Sequence, residues 1–320
     1  MIHSPKSLTE RLMGGLSRRA YFETNHDLTK AIILGGTARS GTTWLAQILG
    51  KMMHYRLIFE PYFPENVPEY TFKFRQYMRP DEVNAAFRSF TERVLTGRIR
   101  NGWTDSHNRS LIADGRIVKE VRASLFLKWI RNNFENVTIL YMLRHPCAVV
   151  SSWNRAGFQP SFDIECILGQ NALVKDHLDR YLPILKKANT DIARSAVVWC
   201  IDQVVTLNTM EYRDYLVTTY EDLWLKPSDE LKRIMGYIDA KNVELNIDAR
   251  SIISDTLRRD SAILTNRNPL EAWRSDLTEY QIETVLEIVR EFSLDVIYDN
   301  NPLPHNDELT RVLKHKDYLG

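Results

Sequence analysis

Cysteine is scarce in this chain of 320 residues: Cys147, Cys166 and Cys200 stand far apart, with none of the spacings of a zinc site or a redox pair. Three isolated thiols read as reduced core residues of a cytoplasmic protein. Long apolar runs are missing as well, and the start Met1-Ile-His-Ser-Pro-Lys6 opens no signal peptide or membrane anchor, so the expected setting is cytoplasmic, without a transmembrane segment. Charge of one sign is also lacking, because 42 basic residues face 41 acidic ones and the net charge is +1. No overall field draws nucleic acid or an anionic membrane to such a surface, so any anion must be held by local placement. A small molecule or glycan is the expected partner. No internal repeat, low-complexity tract or heptad array interrupts the chain. With 44% apolar residues it can bury a large core, read here as one domain of residues 1–320.

Strand and helix patterns alternate, which predicts an α/β fold, a parallel sheet flanked by helices. Ile32–Leu34 is a strand, followed by a helix that stripes Trp44, Leu45, Ile48, Leu49, Met52 and Met53. Arg116–Val121, Val137–Leu143 and Tyr215–Thr219 read as strands, and Ser124–Phe134 and Leu231–Ile238 as helices. Pro146 suits the first turn of another helix. Thr278-Glu-Tyr-Gln281 is a capping box that opens a helix bearing Ile282, Val285, Leu286, Val289 and Phe292. The aromatic, charged stretch at about 61–109 is expected to be a substrate-facing insertion, and 300–320 a C-terminal tail.

The most informative stretch is Ala31-Ile-Ile-Leu-Gly-Gly-Thr-Ala-Arg-Ser-Gly-Thr-Thr-Trp44, an apolar strand running through a Gly-containing turn into a helix. A helix N-terminus offers unpaired N–H groups and a positive dipole end to a phosphate. Gly36 and Gly41 keep the spacing of the nucleotide P-loop, but Thr42 stands where that motif carries Lys, and the nearest fixed cation is Arg39. NTPases and kinases use that Lys with Mg²⁺ to neutralise a triphosphate, so a less charged donor is expected. A second signal is Tyr141-Met-Leu-Arg-His-Pro-Cys-Ala-Val-Val-Ser-Ser152, where a buried strand ends at Arg144 and a helix presents Ser152 eight residues later. Strand ends are where α/β proteins bind ligands, and Arg144 with Ser152 can grip a phosphate. Two phosphate sites on one sheet point to a doubly phosphorylated nucleotide.

These two stretches, in this order and spacing, resemble the sulfotransferases that use 3′-phosphoadenosine 5′-phosphosulfate (PAPS), and the resemblance runs over about residues 30–295, through Tyr220-Glu-Asp-Leu223 and Ala272-Trp-Arg274. It implies a P-loop-like sulfotransferase fold and a 5′-phosphosulfate loop at Arg39, Ser40, Gly41, Thr42, Thr43 and Trp44. It further implies a 3′-phosphate site at Arg144 and Ser152, with Trp44 and Tyr220 flanking the adenine and Arg267 closing over the 3′-phosphate. The family's basic-Gly signature is replaced there by Asn266-Arg-Asn-Pro269. No metal is required by such chemistry, which leaves adenosine 3′,5′-bisphosphate as product.

The phenol- and steroid-type branch has a base His two residues after a strand-end Lys, but here Lys119 is followed by Val121. The carbohydrate- and tyrosyl-protein-type branches place a Glu after the first crossover helix, and Leu57-Ile-Phe-Glu-Pro61 supplies Glu60. Glu60 is therefore the expected general base, with a raised pKa or a tight hydrogen bond to the acceptor needed near neutral pH, and Lys119 or Arg122 the group that steadies charge. His54, His107 and His145 stand as alternative bases. The expected activity is sulfuryl transfer from PAPS to a hydroxyl of a carbohydrate or other small acceptor. A nucleotide or small-molecule kinase and a non-catalytic PAPS- or nucleotide-binding module are the alternatives.

Overall fold

A computed structural model describes residues 21–240, 248–252 and 254–315. The readings on Met1–Lys6 and on the end of the tail, 316–320, lie outside the described residues. Seven strands occur among those described: β1 (Phe22–Glu23), β2 (Ala31–Gly35), β3 (Arg56–Phe59), β4 (Ile112–Ala113), β5 (Arg116–Glu120), β6 (Thr138–Leu143) and β7 (Leu216–Thr219). Five of them form an all-parallel sheet in the order β3-β5-β2-β6-β7, and β1 pairs with β4 apart from it.

Alternation along each strand sends neighbours to opposite faces, and here both faces are buried. On β2, Ile32 and Leu34 pack with Leu45, Ile48 and Leu49 of the Thr42–Met53 helix, which is the apolar stripe read from the sequence. Ala31 and Ile33 face the larger core instead, with Val197, Ile201 and Val204 of the Asp191–Thr209 helix. That helix, which the sequence reading passed over, is buried at Asp202, Gln203 and Thr206 as well as at its apolar positions. Strand β3 is a second element seen only in the structure: it forms one edge of the sheet and carries the chain up to Glu60.

The chain leaves β2 toward β3 on one side and later places β6 on the other, so the order reverses between β2 and β6. A crevice opens at the strand C-termini at such a reversal. Into it run the turn after Gly35 and, beside it, Arg144 after Leu143. In the 61–109 stretch, Tyr62, Tyr70, Phe87 and Phe90 pack into the larger core, the last two from the Ala85–Leu95 helix. The predicted capping box at Thr278 and Gln281 is formed. In the tail, the Asn306–Lys314 helix buries Leu309 and Val312. Among the described residues no helix is long and apolar enough to cross a membrane.

Candidate functional site

The turn from β2 into the Thr42–Met53 helix takes three left-handed backbone positions, Gly36 (φ 137°), Arg39 (φ 70°) and Gly41 (φ 93°). Glycine is required at two of them. A Cβ on Gly36 would stand 2.4 Å from the Met142 carbonyl oxygen, and one on Gly41 would stand 2.6 Å from the Tyr220 ring. Gly41 is the helix N-cap and makes no side-chain cap bond, so the first-turn amides open toward the crevice. From beneath, Gln203 donates to Thr37 Oγ1 at 2.7 Å. Ser40 is buried, and its hydroxyl has no hydrogen-bond partner among the described residues.

Arg144 leaves β6 and bonds back to this turn, donating to the Arg39 carbonyl at 3.0 Å and to the Pro269 carbonyl at 3.2 Å. Its guanidinium lies 3.9 Å from the Tyr220 ring centroid, and its Nε is buried without a partner among the described residues. Ser152, from the Pro146–Ala156 helix, accepts from Arg39 Nε at 2.9 Å, and Arg39 also donates to the Thr256 carbonyl at 3.0 Å. Burial and then the positive charges of Arg144, Arg258 and Arg155 bring the Arg39 guanidinium down to about 10, opposed by the Asp260 carboxylate. Beside this cluster Trp44, Tyr220 and Trp224 form an aromatic group: Trp44 sits 5.6 Å from Tyr220, and Tyr220 stacks on Trp224 at 6.3 Å. Trp224 follows Tyr220 by one helical turn, a spacing legible in the sequence but unused there.

The cleft between these groups has a volume of about 280 Å³ and also reaches Phe59, Glu60 and Lys119. Arg39, Gly41, Thr42, Thr43, Trp44, Arg144, Ser152 and Tyr220 line it; Ser40 sits beneath it. Arg267 does not line it. Its guanidinium donates to Asp276 at 2.6 Å and to Thr265 at 3.1 Å, and Asp276, not Arg267, faces the cleft. Arg155 and Arg258 line the wall instead, brought there by tertiary packing and marked by no sequence spacing.

At the other end, Glu60 follows β3 with φ 41°, and its amide bonds the Lys119 carbonyl at 2.8 Å. This turn aims the carboxylate at two cations. Lys119 donates to Oε1 and Arg122 to Oε2, the latter at 3.0 Å, and Arg122 also bonds Glu120 at 3.1 Å. Glu120 in turn accepts from the Tyr62 and Arg122 amides, each at 3.0 Å. Burial alone pushes the Glu60 carboxyl up, but Lys119 and Arg122 outweigh it and hold the group well below the usual carboxylate range. Phe59, Pro61 and Tyr62 beside it are buried, and the effect of that desolvation is reversed by the two ion pairs.

The three histidines are placed differently from one another. His54 caps the C-terminus of the first crossover helix and is exposed. His107 packs on Phe59, ring centroids 4.2 Å apart, with Nδ1 3.7 Å from Asp255. His145 is fully buried, caps its helix by accepting from the Cys147 amide at 3.2 Å, and is brought down to about 4 by burial.

The chain matches no family model. It matches no curated protein either. Among solved structures it is similar to a sulfotransferase domain from the curacin biosynthetic pathway, with 13% identity over 93% of this chain and 99% of that one, TM-score 0.38. It is also similar to the sulfotransferase domain of the Synechococcus PCC 7002 olefin synthase, with 15% identity over 86% of this chain and 98% of that one, TM-score 0.44. A third is mouse sulfotransferase SULT7A1 complexed with PAP, with 14% identity over 98% and 95% of the two chains and TM-score 0.41.

Proposed function

We propose that this protein is a PAPS-dependent sulfotransferase that moves a sulfuryl group to a hydroxyl of a carbohydrate or other small acceptor in the cytoplasm. The observation that carries the reading is the crowding of Arg39 by Arg144, Arg155 and Arg258 at an uncapped helix N-terminus. Repulsion among cations packed together is relieved by an anion. The turn into the helix N-terminus, with the unpartnered Ser40 hydroxyl and Arg144 Nε, fits a donor with two phosphate-bearing ends. The loop amides with Arg39, Ser40, Thr42 and Thr43 would hold the 5′ end, Arg144 and Ser152 the 3′-phosphate, and Trp44 and Tyr220 the adenine. Arg267 enters this set by exchanging Asp276 for phosphate. Three free cysteines suit a reducing compartment.

The donor supplies an activated sulfuryl group on its 5′-phosphate. Glu60 would take the proton of the acceptor hydroxyl as the new O–S bond forms and the bond from sulfur to the 5′-phosphate oxygen breaks, releasing adenosine 3′,5′-bisphosphate, and Lys119 would steady the charge left on that phosphate oxygen. A carboxylate bound by two cations is a weak base. Turnover therefore requires Lys119 to pass from Glu60 to the donor, which restores basicity to Glu60 where it is needed.

One feature favours a binding-only module: the Glu60 pair with Lys119 and Arg122 is closed in this structure. Two measurements separate the readings. Adenosine 3′,5′-bisphosphate should bind by calorimetry and, at about 100-fold over its Kd, add ~2.7 kcal/mol of stability, while ATP with Mg²⁺ binds weakly. Absence of bisphosphate binding overturns the proposal, and tight Mg²⁺-dependent ATP binding with phosphoryl transfer supports a kinase. Glu60→Gln should lose turnover and keep bisphosphate affinity, and an unchanged rate removes Glu60 as base.

A further inference from the structure

Asp276 brings a negative charge to the cation-lined part of the cleft. It is the last residue of the short Trp273–Asp276 helix, it lines the cleft, and its side chain is 11% exposed. Its two oxygens serve different arginines. Oδ1 accepts from Arg267 at 2.6 Å, while Oδ2 accepts from Arg155 and, at 3.2 Å, from the Ser151 hydroxyl. Arg155 stands one helical turn past Ser152 on the Pro146–Ala156 helix, so the two side chains are neighbours on its surface. Ser152 is bonded to Arg39, and the charge of Arg155 bears on Arg39 as well. The second carboxylate near Arg155, Asp260, lies 4.0 Å from its Nε, is 47% exposed and is shared with Arg258, so water weakens its hold.

From this arrangement we infer that Asp276 is an internal counter-anion: it occupies Arg155 and Arg267 in the empty cleft, competes with an incoming phosphate for them, and so sets how tightly the 3′-phosphate is held. A carboxylate that gives one oxygen to each of two guanidinium groups does for them what a phosphate does. Phosphate arriving at Arg144 and Ser152 finds Arg155 beside Ser152 but committed to Asp276. It gains that cation only by sharing it with a carboxylate of its own sign, which costs affinity. A carboxylate that merely held Arg155 in place for phosphate would have the opposite effect, since removing its charge would loosen the arginine and weaken binding. The two roles therefore differ in sign. The inference rests on the sulfotransferase reading only for the identity of the anion.

Calorimetry on the full chain tests it with adenosine 3′,5′-bisphosphate, adenosine 5′-phosphate and inorganic phosphate, in the wild type, Asp276→Asn, Arg155→Gln and the double variant. Melting curves check that each protein is folded. Asp276→Asn keeps a hydrogen-bonding side chain and loses the charge, so it should bind the bisphosphate about tenfold more tightly and the 5′-phosphate within about threefold of the wild type. In the Arg155→Gln background that gain should shrink to less than about threefold, because the cation competed for is gone. Weaker bisphosphate binding by Asp276→Asn, an equal gain for both nucleotides, or a full gain without Arg155 overturns the inference. Arg155→Gln by itself gives a second reading that does not need the Asp276 variant to fold: it should weaken the bisphosphate more than the 5′-phosphate, and equal effects on the two overturn the inference. If none of the proteins binds the bisphosphate, the donor reading fails and inorganic phosphate still decides the role of Asp276. Phosphate should bind Asp276→Asn more tightly than the wild type, and equal or weaker binding refutes the competition.

Discussion

Replacing Lys119 by Met isolates what holds the Glu60 carboxylate. The two side chains are buried together, 5% and 12% exposed, so the loss is not made good by solvent. A hydrogen bond to a charged group contributes ~1.5–3 kcal/mol, which at ~1.36 kcal/mol per pKa unit is an upward shift of about 1–2 units. Arg122 remains, bonded to Oε2 at 3.0 Å, so the carboxyl does not go all the way to a neutral buried acid. The sign for stability follows. A carboxyl lowered in the folded state stabilises it above the ordinary range of about 4.3, and that contribution is lost as pH falls through the folded value. Lys119→Met raises the folded value, so the variant is less stable at neutral pH, by ~3 kcal/mol at the lower end for a broken buried pair. Proton uptake on acidification, as the difference between Lys119→Met and Lys119→Met/Glu60→Gln, reads the carboxyl directly. If it titrates where it does in the wild type, or lower, Lys119 is not what depresses it, and the idea that Lys119 gates the base fails with it.

Three further outcomes are expected. Arg144→Ala should weaken adenosine 3′,5′-bisphosphate by about 10- to 100-fold and adenosine 5′-phosphate by no more than about threefold in calorimetry; equal losses contradict the placing of the 3′-phosphate. Gly36→Ala forces a Cβ to within 2.4 Å of the Met142 carbonyl oxygen at φ 137°, and left-handed strain of ~1–3 kcal/mol at ~2–4 °C per kcal/mol should lower the melting temperature visibly; an unchanged value means the turn is not as tight as described. His145→Asn keeps a helix-capping side chain and removes a buried imidazole brought down to about 4, whose stabilising effect is lost as pH falls. Its neighbour Glu221, pushed up to about 6 by burial, has the opposite sign and gains stability as pH falls. Urea unfolding at pH 7 and pH 5 should therefore show the variant gaining on the wild type in acid, and parallel curves refute the assignment.

What was legible in the sequence is what short-range patterning specifies. The β2 apolar run, the Gly36 and Gly41 punctuation, the helical stripe from Trp44 to Met52 and the Thr278 capping box are each written within about a dozen residues. Their physical causes, side-chain period, left-handed backbone and end-capping, act over that same distance. The eight-residue step from Arg144 to Ser152 belongs with them, since one strand end and one helix fix it. Strand β3 went unread because four residues, Arg56–Phe59, carry too little period, and the Asp191–Thr209 helix because it is buried on nearly every side and shows no polar face.

Only the tertiary structure decided the electrostatics. Arg39, Arg155 and Arg258 stand far apart along the chain and meet in the fold, and Asp276 binds both Arg155 and Arg267. The Glu60 carboxylate shows the same limit most clearly. A base near neutral pH needs a raised pKa or a tight hydrogen bond to the acceptor, and Lys119 and Arg122, delivered by the adjacent strand β5 and the turn after it, lower the carboxyl instead. Local sequence sets backbone form and the direction of desolvation. The sign of a buried group's pKa shift depends on which charges the sheet register brings within hydrogen-bonding distance, and that register is a property of the whole fold.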